Sequence, residues 1–304
     1  MKFKQIMKKI KSVFFPEIWC CAVRFGKDGD SLLSGNGSVF SVLPNSYRYW
    51  TADPFVVKEN GKYYLFFEMF DRIKRKGLLG CREISESGFG KMRVIYESAS
   101  HLSYPFIYKK DGVYYIVPES NKSEELFRLR CVDFPLKWEK EKVLLHEKLV
   151  DTTIFTHNGT DFYISQRVSG DNVFDRIDLF YDHNSVIEEC PANPVKKDLK
   201  TARCAGKLFE YDGKLIRPSQ NCADGYGAGL NFNEVLELSE NAFKERLISM
   251  VLPEDIKLNF ENHFTGIHTY NRTDNVEVID LKIKSEINIL NFVGVIFKLF
   301  KLFF

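Results

Sequence analysis

Aromatic and branched apolar residues cluster in short runs along this chain, and four pairs of runs enclose an Asn-Gly or Asp-Gly dipeptide. The stretches are KENGKYY, KKDGVYY, THNGTDFY and EYDGKLI, with turn glycines at Gly61, Gly112, Gly159 and Gly213. A two-residue turn between two strands needs positive φ at both positions, which Asn, Asp and Gly tolerate. The pattern therefore predicts four β-hairpins.

The hairpins recur about every fifty residues, a period typical of propeller blades. A weaker fifth unit, TGIHTYNRTDNVEVIDL, has Asp274-Asn275 at its turn, and the apolar run EIWCCAVRF (17–25) can supply the strand that closes the ring. We predict an all-β fold, a five-bladed β-propeller over residues 17–282 with short helical tails. A β-sandwich also explains many short strands, but it gives no reason for a common register.

Polar residues occupy matching positions in these hairpins. Eight residues before the turn glycines stand Asp53, Tyr104, Asp151 and Ala205, and seven residues after them stand Glu68, Glu119, Gln166 and Gln220. In an ideal two-residue hairpin these positions pair, so Asp53 should face Glu68 directly. Two carboxylates opposite each other repel, and one of them should bind a proton. Acids and amides should therefore line one end of a central funnel.

The composition fits one large domain with two distinct tails. The chain has 304 residues, 44% of them hydrophobic, and a formal charge of only +2, which gives no indication of a nucleic-acid partner. Seven cysteines without a CxxC pair indicate reduced thiols in the cytoplasm. We find no metal-binding motif, P-loop or GxGxxG sequence.

Both tails differ from the middle of the chain. Residues 1–16 form a basic segment with apolar residues at helical spacing, and residues 283–304 are apolar apart from a few polar positions such as Lys298 and Lys301. A helix lying in the plane of a membrane fits this second tail better than a spanning one. We expect peripheral contact with the inner face of the membrane. Packing of both tails against the domain is the alternative.

Several ordered motifs resemble a known family. They are WTADPFV (50–56), HLSYPF (101–106), VPES (117–120), VDTTIF (150–155), ARCAGKLF (202–209), IRPSQNC (216–222), GYGAGL (225–230) and GIHTYN (266–271). The series resembles the propeller domain of glucosamine inositolphosphorylceramide transferase-type proteins, which is related to the five-bladed glycoside hydrolase family 43 fold. In plants such a domain accompanies a separate glycosyltransferase domain, whereas shorter bacterial relatives are associated with surface-polysaccharide synthesis.

The resemblance implies roles for two aspartates. Asp53 in ADPF matches the catalytic base of the hydrolases, and Asp151 in VDTTIF matches the aspartate that orients their general acid. The glutamate that serves as that acid is absent from the fourth blade, where Arg203 stands instead. Glu68 and Glu119 are the substitutes we consider. The alternative is that these acids cap strands or bind backbone amides of the next blade.

Cations near the fourth hairpin suggest binding of an anion. Arg203 and Arg217, with Gln220 beside them, could hold the diphosphate of an activated sugar or an acidic sugar, because a guanidinium matches phosphate and carboxylate geometry. Solvation at the surface is the alternative for either arginine.

Histidines and tyrosines complete the set of candidates. His101 and His268 open the second and fifth hairpins, and by resemblance to the hydrolases His268 could help to hold an axial ion or water; a buried, hydrogen-bonded histidine is the alternative. We predict no other cofactor. Tyr104 and Tyr226 could stack on sugar rings, although abundant aromatics usually form the core.

These observations favour an enzyme of envelope polysaccharide or glycolipid synthesis that transfers a glycosyl unit to a lipid-linked or polymer acceptor. A carbohydrate-binding propeller that positions a partner glycosyltransferase is the second hypothesis. Hydrolysis of a glycan is the third, and it requires a proton donor that is missing from the position where the hydrolases carry theirs.

Overall fold

The computed structural model describes residues 16–27, 30–35, 39–168, 175–183, 185–259, 263–284 and 288–303. Within these ranges the chain forms five antiparallel sheets arranged as the blades of a β-propeller, together with one α-helix near the C-terminus. The five-bladed, all-β prediction is confirmed. The predicted N-terminal helix lies outside the described residues.

The strands follow one another blade by blade. The chain begins with β1 (Glu17–Phe25) and β2 (Ser41–Val42). Blade 1 contains β3 (Tyr49–Glu59), β4 (Lys62–Asp71), β5 (Lys76–Ser85), β6 (Gly88–Phe89) and β7 (Arg93–Tyr96). Blade 2 contains β8 (Ser103–Lys110), β9 (Val113–Glu119), β10 (Leu126–Asp133) and β11 (Lys137–Leu145). Blade 3 contains β12 (Leu149–His157), β13 (Thr160–Arg167), β14 (Arg176–His183), β15 (Val186–Glu189) and β16 (Lys196–Lys197).

Blade 4 contains β17 (Phe209–Tyr211), β18 (Lys214–Asn221), β19 (Gly229–Leu238) and β20 (Phe243–Val251). Blade 5 combines β21 (Phe264–Gly266), β22 (Tyr270–Thr273) and β23 (Val276–Lys284) with the N-terminal β1 and β2. Short 3₁₀ turns cover Leu32–Ser34, Asn121–Ser123 and Pro253–Asp255, and the helix α1 spans Ile289–Phe303.

Blade 5 closes the ring by pairing the two ends of the propeller. β1 runs antiparallel to β23 along its whole length, from Glu17 opposite Lys284 to Phe25 opposite Val276. Within this pair Arg24 and Glu277 form a fully buried ion pair. Glu277 also accepts hydrogen bonds from the Tyr270 hydroxyl and the Leu32 amide. The predicted closing strand is confirmed, and a charged contact reinforces it.

The turns have the predicted conformation. The first turn residues Asn60, Asp111, Asn158 and Asp212 all have φ near +50°, and each glycine that follows also has positive φ. At the fifth turn, Asp274 has φ +53°. The first four turns therefore have positive φ at both central residues, as a type I′ turn requires, whereas the fifth has it only at Asp274.

The predicted pairing across the hairpins is wrong by one residue in blade 1. Glu68 lies opposite Ala52 instead of Asp53, because a β-bulge interrupts the ladder between Ala52 and Phe55. Blades 2 and 3 carry the same irregularity, and the bulged residues Asp53, Tyr104 and Asp151 have φ values of +50°, +42° and +49°. An inserted residue in a left-handed conformation turns its side chain out of the regular alternation.

Blade 4 departs further from the prediction. Its inner strand is reduced to β17, and the Gln220 amide donates to the Arg203 carbonyl, so Arg203 and not Ala205 lies opposite Gln220. The chain turns at Gly206, whose φ is +141°. A Cβ atom there would lie 1.9 Å from the Tyr270 carbonyl oxygen, so only glycine fits this approach of blade 4 to blade 5.

Aromatic side chains fill the space between neighbouring blades. Phe55, Phe66 and Phe106 are fully buried in the largest apolar cluster, which extends from blade 1 to blade 4. Phe55 contacts Phe106 edge to face, with ring centroids 5.7 Å apart. This explains why so many aromatic residues stand at alternating positions of the strands.

The C-terminal helix α1 packs on blade 1. Gly294 lies so close to the Arg72 carbonyl oxygen that a Cβ atom would come within 2.1 Å of it, and Arg72 donates a hydrogen bond to Asn291. Among the described residues, no helix has both the length and the apolar content needed to span a membrane.

The closing ion pair predicts a strong effect on stability. Arg24→Met should lower the free energy of unfolding by about 3 kcal/mol or more, because it leaves the Glu277 charge buried without its counterion. Adding Glu277→Gln should recover part of the loss. Urea unfolding would measure both. As a matched control, Lys58→Met breaks the exposed Lys58–Asp274 pair and should cost less than about 1 kcal/mol; equal losses for the two pairs would contradict the prediction.

Candidate active site

The bulges bring carboxylates to the propeller axis and bind them to neighbouring blades. The Asp53 amide donates to Asp280 Oδ2 of blade 5 at 3.0 Å, and Asp53 Oδ2 accepts from the Tyr104 amide of blade 2, also at 3.0 Å. Asp280 Oδ1 additionally accepts the amides of His268 and Thr269. Three blades are thus joined through two carboxylates.

His268 lies between these two carboxylates. Its Nδ1 is 2.7 Å from Asp280 Oδ2 and its Nε2 is 3.2 Å from Asp53 Oδ1. Burial opposes a charged imidazole, but the charge and hydrogen bond of Asp280, together with those of Asp53, outweigh it and raise the pKa of His268 to about 10. Burial also opposes the charge of Asp53, yet His268 and the donors Tyr104 and Thr269 hold the pKa of Asp53 below its usual value.

The predicted axial ion would have to bind at this place. Asp53, His268 and Asp280 each offer one ligand atom within 4.8 Å of the others. Both imidazole nitrogens face carboxylate oxygens, although Nδ1 makes no hydrogen bond of good geometry. The arrangement suits an imidazolium held between two carboxylates, and the axial ion stays a prediction.

A second group of polar side chains surrounds Asp151. Its Oδ2 accepts hydrogen bonds from Arg203 Nε at 2.5 Å and from Gln220 Nε2 at 3.1 Å. Glu119 is half-buried beside them. Burial, together with the charge of Asp151 and a hydrogen bond to it, raises the pKa of Glu119 well above its usual value despite the nearby Arg203. This environment favours the protonated form of Glu119.

Glu68 is a second carboxyl group whose surroundings favour the protonated form. It is buried, and burial together with the charges of Asp53 and Glu119 raises the pKa of Glu68 well above its usual value. His101 Nε2 lies 3.5 Å from Glu68 Oε1, and His101 Nδ1 accepts the Gly77 amide. Burial lowers the pKa of His101 to about 4, so the ring is neutral.

Aromatic rings form one wall of the funnel. The Trp19 ring lies 4.0 Å from the His268 ring, centroid to centroid, and Tyr226 contacts both rings edge to face. The Arg203 guanidinium lies 5.0 Å from the Tyr226 ring centroid. Tyr226 is 39% exposed. Its exposed part beside an arginine suits contact with a sugar.

The structure does not bring every candidate to this cluster. Arg217 is fully buried, forms a two-point ion pair with Glu245 and donates to the carbonyls of Thr201 and Ala202, so it stabilises blade 4 instead of lining the funnel. Tyr104 is fully buried as well, with its hydroxyl 2.8 Å from Thr153 Oγ1. Only its backbone amide serves the site.

Sequence reasoning missed three residues of the cluster. The sequence does indicate Asp280, since it is an acid inside the apolar strand VEVIDL and buried acids need partners. No sequence pattern indicates Thr269 or Trp19. Trp19 lies in the closing strand, whose position at the axis depends on ring closure and not on local pattern.

Comparison with solved structures defines the class of fold. The catalytic domain of a family 62 α-L-arabinofuranosidase from Coprinopsis cinerea superposes with a TM-score of 0.57 at 10% identity, over 89% of this chain and 99% of that domain. The α-L-arabinofuranosidase of Podospora anserina gives 0.54 at 9% identity, over 78% and 91%. The chain thus has the five-bladed fold found in glycoside hydrolases.

Sequence comparison defines the family within that class. Residues 41–291 match the model of the family described as glucosamine inositolphosphorylceramide transferase 1, N-terminal, and the chain belongs to this family. Glucosamine inositolphosphorylceramide transferase 1 of Arabidopsis thaliana is 32% identical over 213 residues, which are 67% of this chain and 28% of the plant protein. The corresponding protein of Oryza sativa subsp. japonica is 29% identical, with similar coverage. The matched part spans less than a third of these relatives.

The charged His268 predicts a defined pH dependence of stability. Its folded pKa of about 10 exceeds the unfolded value of 6.5, so its contribution is complete below about pH 6.5 and is lost as pH rises through 10. His268→Gln should lower the free energy of unfolding on the order of 3 kcal/mol at pH 7, and the gap from wild type should narrow toward pH 10. Urea unfolding across this range tests it, with the exposed His146→Gln as control. A gap that stays constant with pH would show that His268 is neutral in the folded protein.

Proposed function

We propose that this protein transfers a glycosyl unit in its funnel, by acid and base catalysis from carboxyl groups. The observation that carries the proposal is that two carboxyl groups around one funnel have environments that move their pKa values in opposite directions. Hydrogen bonds and the charge of His268 lower the pKa of Asp53, whereas burial and the charge of Asp151 raise the pKa of Glu119. Environments that push two pKa values apart are typical of acid and base pairs in enzymes that act on glycosidic bonds.

The two groups would divide the reaction between them. Asp53 accepts the proton of the acceptor hydroxyl as that oxygen attacks the anomeric carbon. In the alternative, Asp53 attacks this carbon and forms a glycosyl ester; the acceptor oxygen then displaces Asp53 and gives its proton to Glu119, which has lost its own to the leaving group. Glu119 donates its proton to the oxygen of the leaving group as the old bond breaks. Asp151 receives the hydrogen bond of Glu119 and the Arg203 ion pair, so it positions the acid. Glu68 supports the charge balance from a more buried position.

The charges around Arg203 and Arg217 indicate which leaving group the funnel can stabilise. Asp151 balances the charge of Arg203, and Glu245 balances that of Arg217. The pair therefore contributes little excess positive charge for a diphosphate, which favours a role for the Glu119 proton. Arg203 still faces the funnel beside Tyr226, where it can hydrogen-bond a sugar or an anionic group of the substrate.

The names of the relatives support a sugar and a lipid as substrate classes. They describe a transferase for glucosamine and inositolphosphorylceramide. We propose that this chain likewise acts on a sugar with a lipid-linked or polymer acceptor in cell-envelope synthesis, peripherally at the inner face of the membrane. The apolar helix α1 and the seven free thiols support this location. Both the location and the acceptor remain predictions.

A second function has a specific observation in its favour. The matched part covers only 28% of the plant relative, so the transfer reaction of that protein can reside elsewhere in its chain. In that case this propeller binds a carbohydrate and positions a partner glycosyltransferase. The aromatic wall at Tyr226 would serve this role without any proton transfer.

Replacement of the ionised carboxylate separates the two functions. Asp53→Asn should reduce the glycan or glycolipid product in cells at least about a thousandfold below wild type if Asp53 is the base or nucleophile. A binding module should keep its product. Thr269→Val removes one hydrogen bond to Asp53 Oδ1 without touching the charge, so it controls for a loosened axis, and abundance and thermal stability are measured for both variants. Full product with Asp53→Asn would overturn the catalytic proposal.

The protonated carboxyl group predicts the alkaline side of the pH profile. Because Glu119 must carry its proton, the rate in membrane preparations should fall as pH rises through its elevated pKa, and it should fall on the acid side as Asp53 becomes protonated. Glu119→Gln should lower the maximal rate about a hundredfold or more and remove the alkaline limb. Glu124→Gln, an exposed change nearby, is the control. An unchanged alkaline limb in Glu119→Gln would exclude Glu119 as the acid.

A further inference from the structure

Helix α1 leaves several large apolar side chains exposed. It turns Asn291 and Gly294 toward blade 1, while Ile289, Phe292, Ile296 and Phe297 are 63%, 44%, 37% and 56% exposed. A helix that only covered the domain would bury its apolar side. The large residues on the open side therefore require another apolar environment.

A basic turn lies directly under this helix. Residues 72–76 read RIKRK and connect β4 to β5. Arg72 contacts Asn291, and the Arg75 side chain lies against Gly294. Lys74 and Lys76 share a single acid, Glu97, and Asp71 is engaged by Arg48. The basic residues of the turn therefore outnumber the acids that pair with them, and an excess of positive charge borders the apolar face.

This surface stands at the funnel end of the propeller. The turn follows Asp71, three residues after Glu68 on β4, and Gly77 beyond it contacts His101. Tyr49 on β3 pairs with Asp71, next to the turn. Asp53 lies four residues further along β3, so it is about 13 Å from Tyr49 along the strand. The helix and the turn therefore border the mouth through which a substrate reaches the carboxylates.

We propose that the exposed face of α1 and the basic turn Arg72–Lys76 together dock this protein on an anionic lipid bilayer, with the funnel mouth directed at the bilayer. The apolar side chains enter the interfacial region, and the exposed cations Lys74 and Arg75 lie at the level of the phosphate groups. Arg72 is buried and joins the turn to the helix. A lipid-linked substrate then keeps its acyl chains in the bilayer while its headgroup enters the funnel. This last step rests on the proposed function; the docking surface does not.

Charge favours a bilayer over a second copy of this chain. A symmetric dimer through this face would bring two basic turns to one interface, where they repel each other. An anionic headgroup layer instead satisfies the cations and the apolar residues at the same time.

Vesicle co-sedimentation of the full chain tests the surface. We expect binding to vesicles of phosphatidylcholine mixed with phosphatidylglycerol and weaker binding to phosphatidylcholine alone. Phe292→Ser with Phe297→Ser should lower partitioning at least about tenfold, and Arg75→Glu at least about fivefold on anionic vesicles only. The controls Leu236→Ser and Lys137→Glu change exposed residues at the opposite end of the propeller and should have no effect. Equal effects of the controls, or no binding by wild type, would overturn the proposal.

A fluorescent label tests the orientation. Tyr47, 60% exposed, lies beside the start of α1, and Val186, also 60% exposed, follows β14 at the end opposite the funnel. With bimane on Tyr47→Cys or Val186→Cys in a Cys131→Ser background, nitroxide lipids should quench the first label and spare the second. Quenching of the Val186 label instead would exclude a funnel that faces the bilayer.

Three further outcomes separate the docking surface from the catalytic proposal and from dimerisation. Asp53→Asn should bind vesicles as wild type does. If this variant binds vesicles and cells that carry it still make the full amount of product, only the catalytic proposal is refuted. If the wild type does not bind vesicles but the product still depends on Asp53, only the docking surface is refuted. A dimer in sedimentation velocity that Phe297→Ser dissolves, without vesicle binding, would show that a second copy covers the face and would overturn the proposal.

Discussion

The axis of this propeller depends on buried carboxylates that accept backbone amides from the adjacent blade. Asp280 binds the amide of Asp53, and Asp53 in turn binds the amide of Tyr104. Two carboxylates this deep in the protein are costly unless a positive charge lies between them. His268 supplies that charge, so the geometry of three blades and the ionisation of the axis are set by one arrangement.

The bulges connect this electrostatic arrangement to the fold. Each one places a non-glycine residue at positive φ, which costs free energy. In blades 1 and 2 the cost is offset because the bulged amide meets a carboxylate of the neighbouring blade. The same distortion directs Asp53 and Asp151 into the funnel instead of along the strand face. Site residues in this protein are therefore also structural residues, and stability and reactivity share the same contacts.

Local sequence predicts the parts of this structure that local geometry determines. The Asn-Gly and Asp-Gly turns define the hairpins, and the repeat of those hairpins defines the number of blades. The predicted pairing of Asp53 with Glu68 was wrong because it assumed a ladder without a bulge. No residue in WTADPF indicates that the strand contains an extra residue. Arg217 was placed in the funnel because its partner Glu245, two strands away, carries no signal in the IRPSQNC motif. The contact of Trp19 with His268 needed the closed ring.

Ring closure through β1 and β23 also sets the order in which this protein can fold. Blades 1 to 4 are contiguous in sequence and can form hairpin by hairpin as the chain is synthesised, N-terminal units first. The fifth blade can form only after synthesis is nearly complete, because it pairs β1 from the beginning of the chain with β23 (Val276–Lys284) from near its end. Pairs of such large sequence separation form slowly. His268 and Asp280 arrive with that last blade, so a nascent chain exposes Asp53 without its counterion until the ring is complete.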